Sequence, residues 1–138
     1  MTNSPERIID IMKNGFNKER DLVDFLLFHG YEAVRVAGSG AGTKRGLPDI
    51  IAGNSKVIYA IELKSSVKDN IHIRQEQLKG LIDFSKGFGA IPVVAVKFSR
   101  VPYAFLSMND LRFSKAGNVN ITREFASRFK NKIVLSSV

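Results

Sequence analysis

The stretch that decides the fold is GLPDIIAGNSKVIYAIELKS, which runs from Gly46 to Ser65. A Pro-Asp pair opens an apolar run, Gly-Asn-Ser follows it, and a second apolar run ends in Glu-Leu-Lys. β-branched and aromatic residues favour strands, whereas Gly, Asn and Ser favour turns. The pattern therefore predicts a β-hairpin with Asp49 at the start of one strand and Glu62 near the end of the other.

The spacing of the charged residues predicts which face of the hairpin they share. Side chains alternate along a strand, so Glu62 and Lys64 point the same way. A turn centred just after Ser55 would put Asp49 directly opposite Glu62, and a turn one residue earlier would leave them diagonal on the same face. Two carboxylates that close repel each other unless a cation lies between them, and such oxygen ligands suit Mg²⁺ or Mn²⁺. Lys64 could orient or deprotonate a water, or stabilise a phosphoryl transition state. The alternative is that Glu-x-Lys is only a solvated strand end.

Composition narrows the class of protein. The chain has 138 residues, a net charge of +8 and a sequence pI of about 9.9. Such basicity favours a polyanionic partner, with nucleic acid before a membrane surface. The absence of cysteine excludes disulfides and thiolate chemistry. We expect one domain over residues 1–138, large enough for a modest core, with 1–14 as a candidate N-terminal helical extension. The basic charge and the lack of cysteine favour an intracellular location with nucleic acid, whether a cell or a virus encodes the chain.

Upstream of the hairpin, a helix is predicted from Asn17 to His29. Glu19 lies near its apolar stripe, where a carboxylate needs a partner, although a first-turn acid also favours the helix dipole. A strand is predicted over 31–36. The glycine-rich segment after it is either a flexible connector or a DNA-contacting loop, with Lys44 and Arg45 on phosphates and Ser39 as a hydrogen-bond donor.

Downstream, the chain alternates between helical and extended patterns. The predicted elements are a polar surface crossing at 65–70, a helix at 75–86, a strand at 91–98 buried on both faces, a strand at 102–107, a short edge at 119–121 and a helix at 122–129. The basic C-terminal end is either a solvated face or an extension of a DNA footprint. This order predicts an α/β domain with a mixed central β-sheet flanked by helices.

Asp49 and Glu62-Leu63-Lys64 resemble the PD-(D/E)xK motif of the nuclease superfamily that includes restriction endonucleases. The segment 15–20, the strand and Ser-containing loop at 31–40, and the helix and strand at 71–96 resemble, in order, archaeal-type Holliday junction resolvases. The similarity extends from Gly15 to Phe98. It implies a restriction-endonuclease-like domain that hydrolyses DNA phosphodiesters with Mg²⁺, acting as a homodimer that makes paired nicks in branched, four-way junction DNA.

The resemblance also implies roles for individual residues. Those expected in catalysis are Glu19, Ser39, Asp49, Glu62 and Lys64, and the expected metal ligands are Glu19, Asp49, Glu62 and the carbonyl of Leu63. The resemblance adds Arg35 and Arg20 as candidate DNA contacts, with bracing of a carboxylate as the alternative for Arg20. The basic residues of the loops, Lys44, Arg45 and Lys68, are candidates from the sequence pattern itself, although Lys68 could equally be a solvated loop residue. Gln77 is a candidate to support Lys64 or the water. Phe84 and Phe88 are candidates for the dimer interface, with plain core packing as the alternative.

Two rival functions stay open at this point. A related nuclease that acts on linear duplex, flap or nicked DNA would have the same active site, so only substrate tests separate the two. A non-catalytic DNA-binding protein of the same fold could lose Asp49, Glu62 or Lys64 without penalty, so their presence argues against it. A membrane-surface protein is a more distant alternative, because the sequence lacks the basic amphipathic helix with a broad apolar face that such a protein would need.

Overall fold

The computed structural model describes residues 17–38 and 46–129. The N-terminal helix predicted within 1–14, the loop residues Ser39, Lys44 and Arg45, and the basic tail after 129 lie outside the described residues.

The described chain folds into helices on either side of runs of strands. They are α1 (Lys18–Phe28), β1 (Glu32–Arg35), β2 (Ile50–Gly53), β3 (Ile58–Ser66), β4 (Asn70–Ile73), α2 (Gln75–Phe88), β5 (Ile91–Phe98), β6 (Ala104–Ser107), a 3₁₀ turn (Met108–Asp110), β7 (Val119–Thr122) and α3 (Arg123–Arg128). Among these helices, none is long and apolar enough to cross a membrane.

Five strands form the central sheet in the order β1-β2-β3-β5-β6. β3 and β5 are parallel and the other neighbours are antiparallel, so the predicted mixed sheet is confirmed. The predicted hairpin is β2–β3, and its pairs Ile50–Ile61 and Gly53–Ile58 centre the turn just after Ser55. Ser55 itself adopts φ 72°, a left-handed conformation that the tight turn requires. This is the register that directs Asp49 towards Glu62.

Each face of the central sheet is covered by its own helix. Leu22 and Leu26 of α1 pack on one face, together with Val93 of β5. Leu78 of α2 packs on the other face, together with Val94 of β5. β5 is therefore buried on both sides, as its continuous apolar run predicts.

A second, two-stranded sheet pairs β4 with β7 antiparallel, and it was not predicted. The segment 65–70, predicted to be a polar surface crossing, is strand at both of its ends, because β3 continues to Ser66 and β4 begins at Asn70. Ile71 and Ile73 are buried while Asn70 and His72 are exposed, a period of two that marks a strand. Four residues of alternation beside a helix-forming segment are a weak local signal, and pairing with the distant β7 is what stabilises β4.

Candidate active site

Asp49 is held between two strands at the start of the hairpin. Its N–H donates to the carbonyl of Ile61 at 2.9 Å, and its own carbonyl accepts from the N–H of Val36 at 2.9 Å. Its carboxylate Oδ2 accepts from the N–H of Leu63 at 2.8 Å. Asp49 therefore bonds to the residues on either side of Glu62, which fixes its carboxylate beside that side chain.

Glu62 and Lys64 share the face predicted for them. The Nζ of Lys64 lies 3.7 Å from Oε2 of Glu62, and the two side chains are only 24% and 19% exposed, respectively. Burial, as the largest cause, and the neighbouring Asp49 carboxylate together raise the pKa of Glu62 to about 8, with Lys64 opposing the shift. A second negative charge beside Asp49 is thus unfavourable in this partly dehydrated place, and Lys64 alone does not compensate for it.

The donor atoms of this face fit a hard divalent cation. Mg²⁺ is commonly held by one or two carboxylates and completes its shell with water and substrate phosphate. Asp49 and Glu62 supply two carboxylates, and a cation between them would offset the Asp49 repulsion that adds to the effect of burial on the pKa of Glu62. Within residues 17–38 and 46–129, no three acidic or histidine side chains gather into a metal-holding group.

Glu19 is engaged elsewhere in the described structure. Its Oε1 accepts from Nε of Arg35 at 3.2 Å, with the side chains 31% and 47% exposed, respectively. This ion pair joins α1 to β1. Arg35 is therefore the partner that a carboxylate near the apolar stripe of the helix was expected to need. The structure does not bring Glu19 into a group with Asp49 and Glu62, so its role as a metal ligand stays a prediction.

The other predicted residues have these positions. Arg20 is exposed in the first turn of α1, and its backbone N–H bonds to the cap residue Asn17 at 3.0 Å. The side-chain carbonyl of Gln77 accepts from the N–H of Arg74 at 3.2 Å, so it caps the start of α2. Lys68 is exposed in the loop after β3. None of these contacts decides the predicted functional roles.

Phe84 and Phe88 stack on each other at the end of α2. Their ring centroids are 5.2 Å apart with an interplanar angle of 18°. Phe84 packs partly against the core, whereas Phe88 is 50% exposed. Core packing therefore describes Phe84, whereas Phe88 presents an exposed aromatic surface, and the role of either residue in a dimer interface stays a prediction.

A contact between two glycines was not predicted and bears directly on the site. A Cβ placed on Gly46 would lie 2.4 Å from the Cα of Gly80, and one placed on Gly80 would lie 2.9 Å from the Cα of Gly46. Neither position can hold a side chain without movement of the backbone. The chain just before Asp49 therefore lies directly against α2, and two isolated glycines far apart in sequence gave no signal for that contact.

Comparisons with known proteins agree with this geometry. The family model for the archaeal Holliday junction resolvase (Hjc) matches residues 10–136. The crossover junction endodeoxyribonuclease Hjc of Archaeoglobus fulgidus is 37% identical over 97 residues, which cover 70% of this chain and 71% of that protein. The protein of the same name from Sulfolobus acidocaldarius is 37% identical over 105 residues, which cover 75% of this chain and 73% of that protein.

A solved structure extends the similarity to three dimensions. The Holliday junction resolvase Hjc of Archaeoglobus fulgidus matches with a TM-score of 0.78 and 31% identity, covering 90% of this chain and all of that one. The mixed sheet flanked by helices is thus the restriction-endonuclease-like fold expected from the PD-ExK pattern. The chain belongs to the archaeal Holliday junction resolvase (Hjc) family.

Proposed function

We propose that this chain is an endodeoxyribonuclease that resolves four-way DNA junctions by hydrolysing phosphodiesters at Asp49, Glu62 and Lys64. The observation that carries the proposal is the shared face of these three side chains on the hairpin of a chain of this family. The net charge of +8 supports a polyanionic substrate.

The chemistry follows from the charges on that face. Asp49 and Glu62, with the carbonyl of Leu63, would hold Mg²⁺, for which Mn²⁺ could substitute. When bound, the cation supplies positive charge to the phosphoryl oxygens and lowers the pKa of a bound water. Lys64 is a partly dehydrated cation beside Glu62, suited to orient or help deprotonate the attacking water. Water attacks phosphorus and one P–O bond to a sugar breaks, so no covalent bond to the protein is needed.

Substrate recognition would come through phosphates, which report the shape of branched DNA and carry little base information. Arg20 and Lys68 present exposed cations on the described surface. Arg35 is 47% exposed but shares its charge with Glu19, so a phosphate would compete with that carboxylate. Ser39, Lys44 and Arg45 are proposed from the sequence to complete this set.

Resolution of a junction needs two cuts, and a two-fold symmetric homodimer would supply two active sites. We propose Phe88 as the interface residue because this aromatic residue is 50% exposed and stacks on Phe84. Replacing Phe88 by Ser should convert the dimer to monomer in sedimentation and abolish paired cutting. Phe113→Ser is a matched control, since Phe113 is 49% exposed elsewhere. A Phe88→Ser protein that stays dimeric would place the interface elsewhere.

The test of the activity is cleavage of an immobile four-way junction beside a linear duplex built from the same arms, in Mg²⁺ or EDTA. We expect paired, Mg²⁺-dependent nicks confined to the junction. Asp49→Asn should abolish cleavage and keep or tighten junction binding, because it removes a negative charge near phosphate. Equal cutting of the linear duplex would assign a less selective nuclease, and tight binding without cutting would assign a non-catalytic DNA-binding protein.

A further inference from the structure

One arginine outside the active site holds the loop that follows the catalytic strand. The guanidinium of Arg123 donates from Nε to the carboxylate of Asp69 at 3.0 Å, and from Nη2 to the carbonyls of Val67 at 2.9 Å and Lys68 at 2.8 Å. Its Nη1 donates to the carbonyl of Ser99. The backbone N–H of Arg123 adds a bond to the carbonyl of Asp69 at 2.8 Å. One residue at the start of α3 therefore fixes the ends of both β3 and β5.

Arg123 is partly buried against the core, whereas the loop that it holds is exposed to solvent. The Arg123 side chain is 27% exposed and its Cζ lies 5.3 Å from the ring centroid of Phe98, which is fully buried. By contrast, Val67 is 80% exposed and the Asp69 side chain is 86% exposed. The hydrogen bonds order a segment that buries little apolar surface, so they define the position of a surface loop more than they build the core.

The fixed loop lies immediately after the catalytic strand. Glu62 and Lys64 are on β3, which ends at Ser66, and the backbone N–H of Lys68 bonds to the Ser66 hydroxyl at 2.9 Å. An extended chain rises about 3.3 Å per residue, so the Cα atoms of Lys64 and Lys68 are separated by at most about 13 Å. The exposed ammonium of Lys68 is therefore carried on a segment in fixed register with the reacting side chains.

We propose that Arg123 is a positioning residue that fixes the 67–69 loop so that Lys68 meets a DNA phosphate in register with the active site. The inference rests on the proposed nuclease function. A loop that is already ordered loses little conformational entropy when it binds, so its contact contributes more to affinity than a contact from a mobile lysine. A guanidinium is needed because its planar set of donors reaches several carbonyls at once, which an ammonium cannot do.

The test is a double-mutant cycle on junction binding in the absence of divalent cation, with affinity measured against salt concentration. Lys68→Gln should weaken binding several-fold and lower the salt slope by about 1, as expected for one lost phosphate contact. Arg123→Lys should weaken binding and lower the slope by a similar amount although the net charge is unchanged. The double variant should bind no more weakly than Lys68→Gln alone.

Two further variants separate positioning from general damage. Arg128→Lys is the control, since Arg128 is a 73% exposed residue on the same helix whose side chain reaches Glu124. Asp69→Ala changes only an exposed side chain and so keeps the test usable if Arg123→Lys does not fold. Losing a negative charge would by itself tighten binding, so weaker binding by Asp69→Ala supports the loop-positioning role.

The results that overturn this inference differ from those that overturn the nuclease function. Wild-type affinity in Lys68→Gln, additive effects in the double variant, or tighter or unchanged binding by Asp69→Ala would each refute the positioning role of Arg123. A wild-type protein that fails to prefer or cut the junction would instead refute the proposed function itself.

Discussion

The contact between Gly46 and Gly80 predicts that adding one methyl group to α2 will disturb the active site. Gly80 lies inside the helix, where alanine is the better helix former by about 1 kcal/mol. The added Cβ would stand 2.9 Å from the Cα of Gly46, whereas ordinary contacts are 3.4–4 Å. The clashing atom is backbone, so it cannot rotate away, and the segment that leads into Asp49 has to move by about 0.5 Å.

The two effects oppose each other, and their sizes decide the sign. Overpacking of this kind costs about 1–3 kcal/mol, which outweighs the gain in helix propensity. We therefore expect Gly80→Ala to lower the free energy of unfolding by about 1 kcal/mol, net of the propensity gain. Because a misplacement of about 1 Å can cost about 100-fold in rate, single-turnover cleavage should fall by about tenfold or more.

Gly87→Ala is the matched control for this prediction. Gly87 lies on the same helix, and a Cβ there would meet nothing within 4 Å. It should raise the free energy of unfolding by about 0.5–1 kcal/mol, through helix propensity alone, and leave cleavage unchanged. Urea unfolding and single-turnover cleavage of the junction measure both quantities. A Gly80→Ala protein as stable and as active as Gly87→Ala would refute the reasoning.

Three further changes test the charges and contacts of the chain. In EDTA, the raised pKa of Glu62 means that the folded state keeps a proton that the unfolded state releases between pH 4.5 and about 8, so stability falls as pH rises. Glu62→Gln should remove this pH dependence, so its free energy of unfolding in urea should rise relative to that of the wild type by up to about 1.4 kcal/mol per pH unit. Parallel plots of unfolding free energy against pH for the two proteins would contradict this prediction. The hydroxyl of Tyr103 donates to Oδ2 of Asp21 at 2.6 Å, and burial raises the pKa of Tyr103. Tyr103→Phe should therefore lower the free energy of unfolding by about 1.5 kcal/mol in the same assay, and an unchanged free energy would show that this bond does not stabilise the fold. Replacing Lys44 and Arg45 together by Ala should weaken junction binding and make the affinity less dependent on salt concentration. An unchanged slope of affinity against salt concentration would show that these two residues do not contact DNA phosphates.

The parts of the fold that sequence predicts are those encoded by neighbouring residues. The β2–β3 hairpin follows from two apolar runs around Gly53-Asn54-Ser55, and the same alternation predicts that Glu62 and Lys64 share a face. β5 is predicted because a strand with both faces buried is apolar throughout. In each case a short window contains the whole signal.

The contacts that sequence did not predict join residues far apart in the chain. Arg123 bonds to the loop that contains Asp69, and Gly46 packs against Gly80. The pairing of Glu19 with Arg35 likewise depends on how α1 lies against β1. An isolated arginine, glycine or glutamate has the same local pattern wherever it lies, so only the assembled fold distinguishes these residues from ordinary surface or turn positions.

The most direct test of the account uses a supercoiled plasmid that extrudes a cruciform and so contains one four-way junction. Paired nicks made in a single binding event convert the supercoiled plasmid to linear DNA, whereas a single nick converts it to a relaxed open circle. We predict that the wild type in Mg²⁺ produces linear plasmid without prior accumulation of open circles, and that Glu62→Gln produces neither form. Equal nicking of a plasmid without the cruciform, or a bound but uncut cruciform, would contradict junction resolution at Asp49, Glu62 and Lys64.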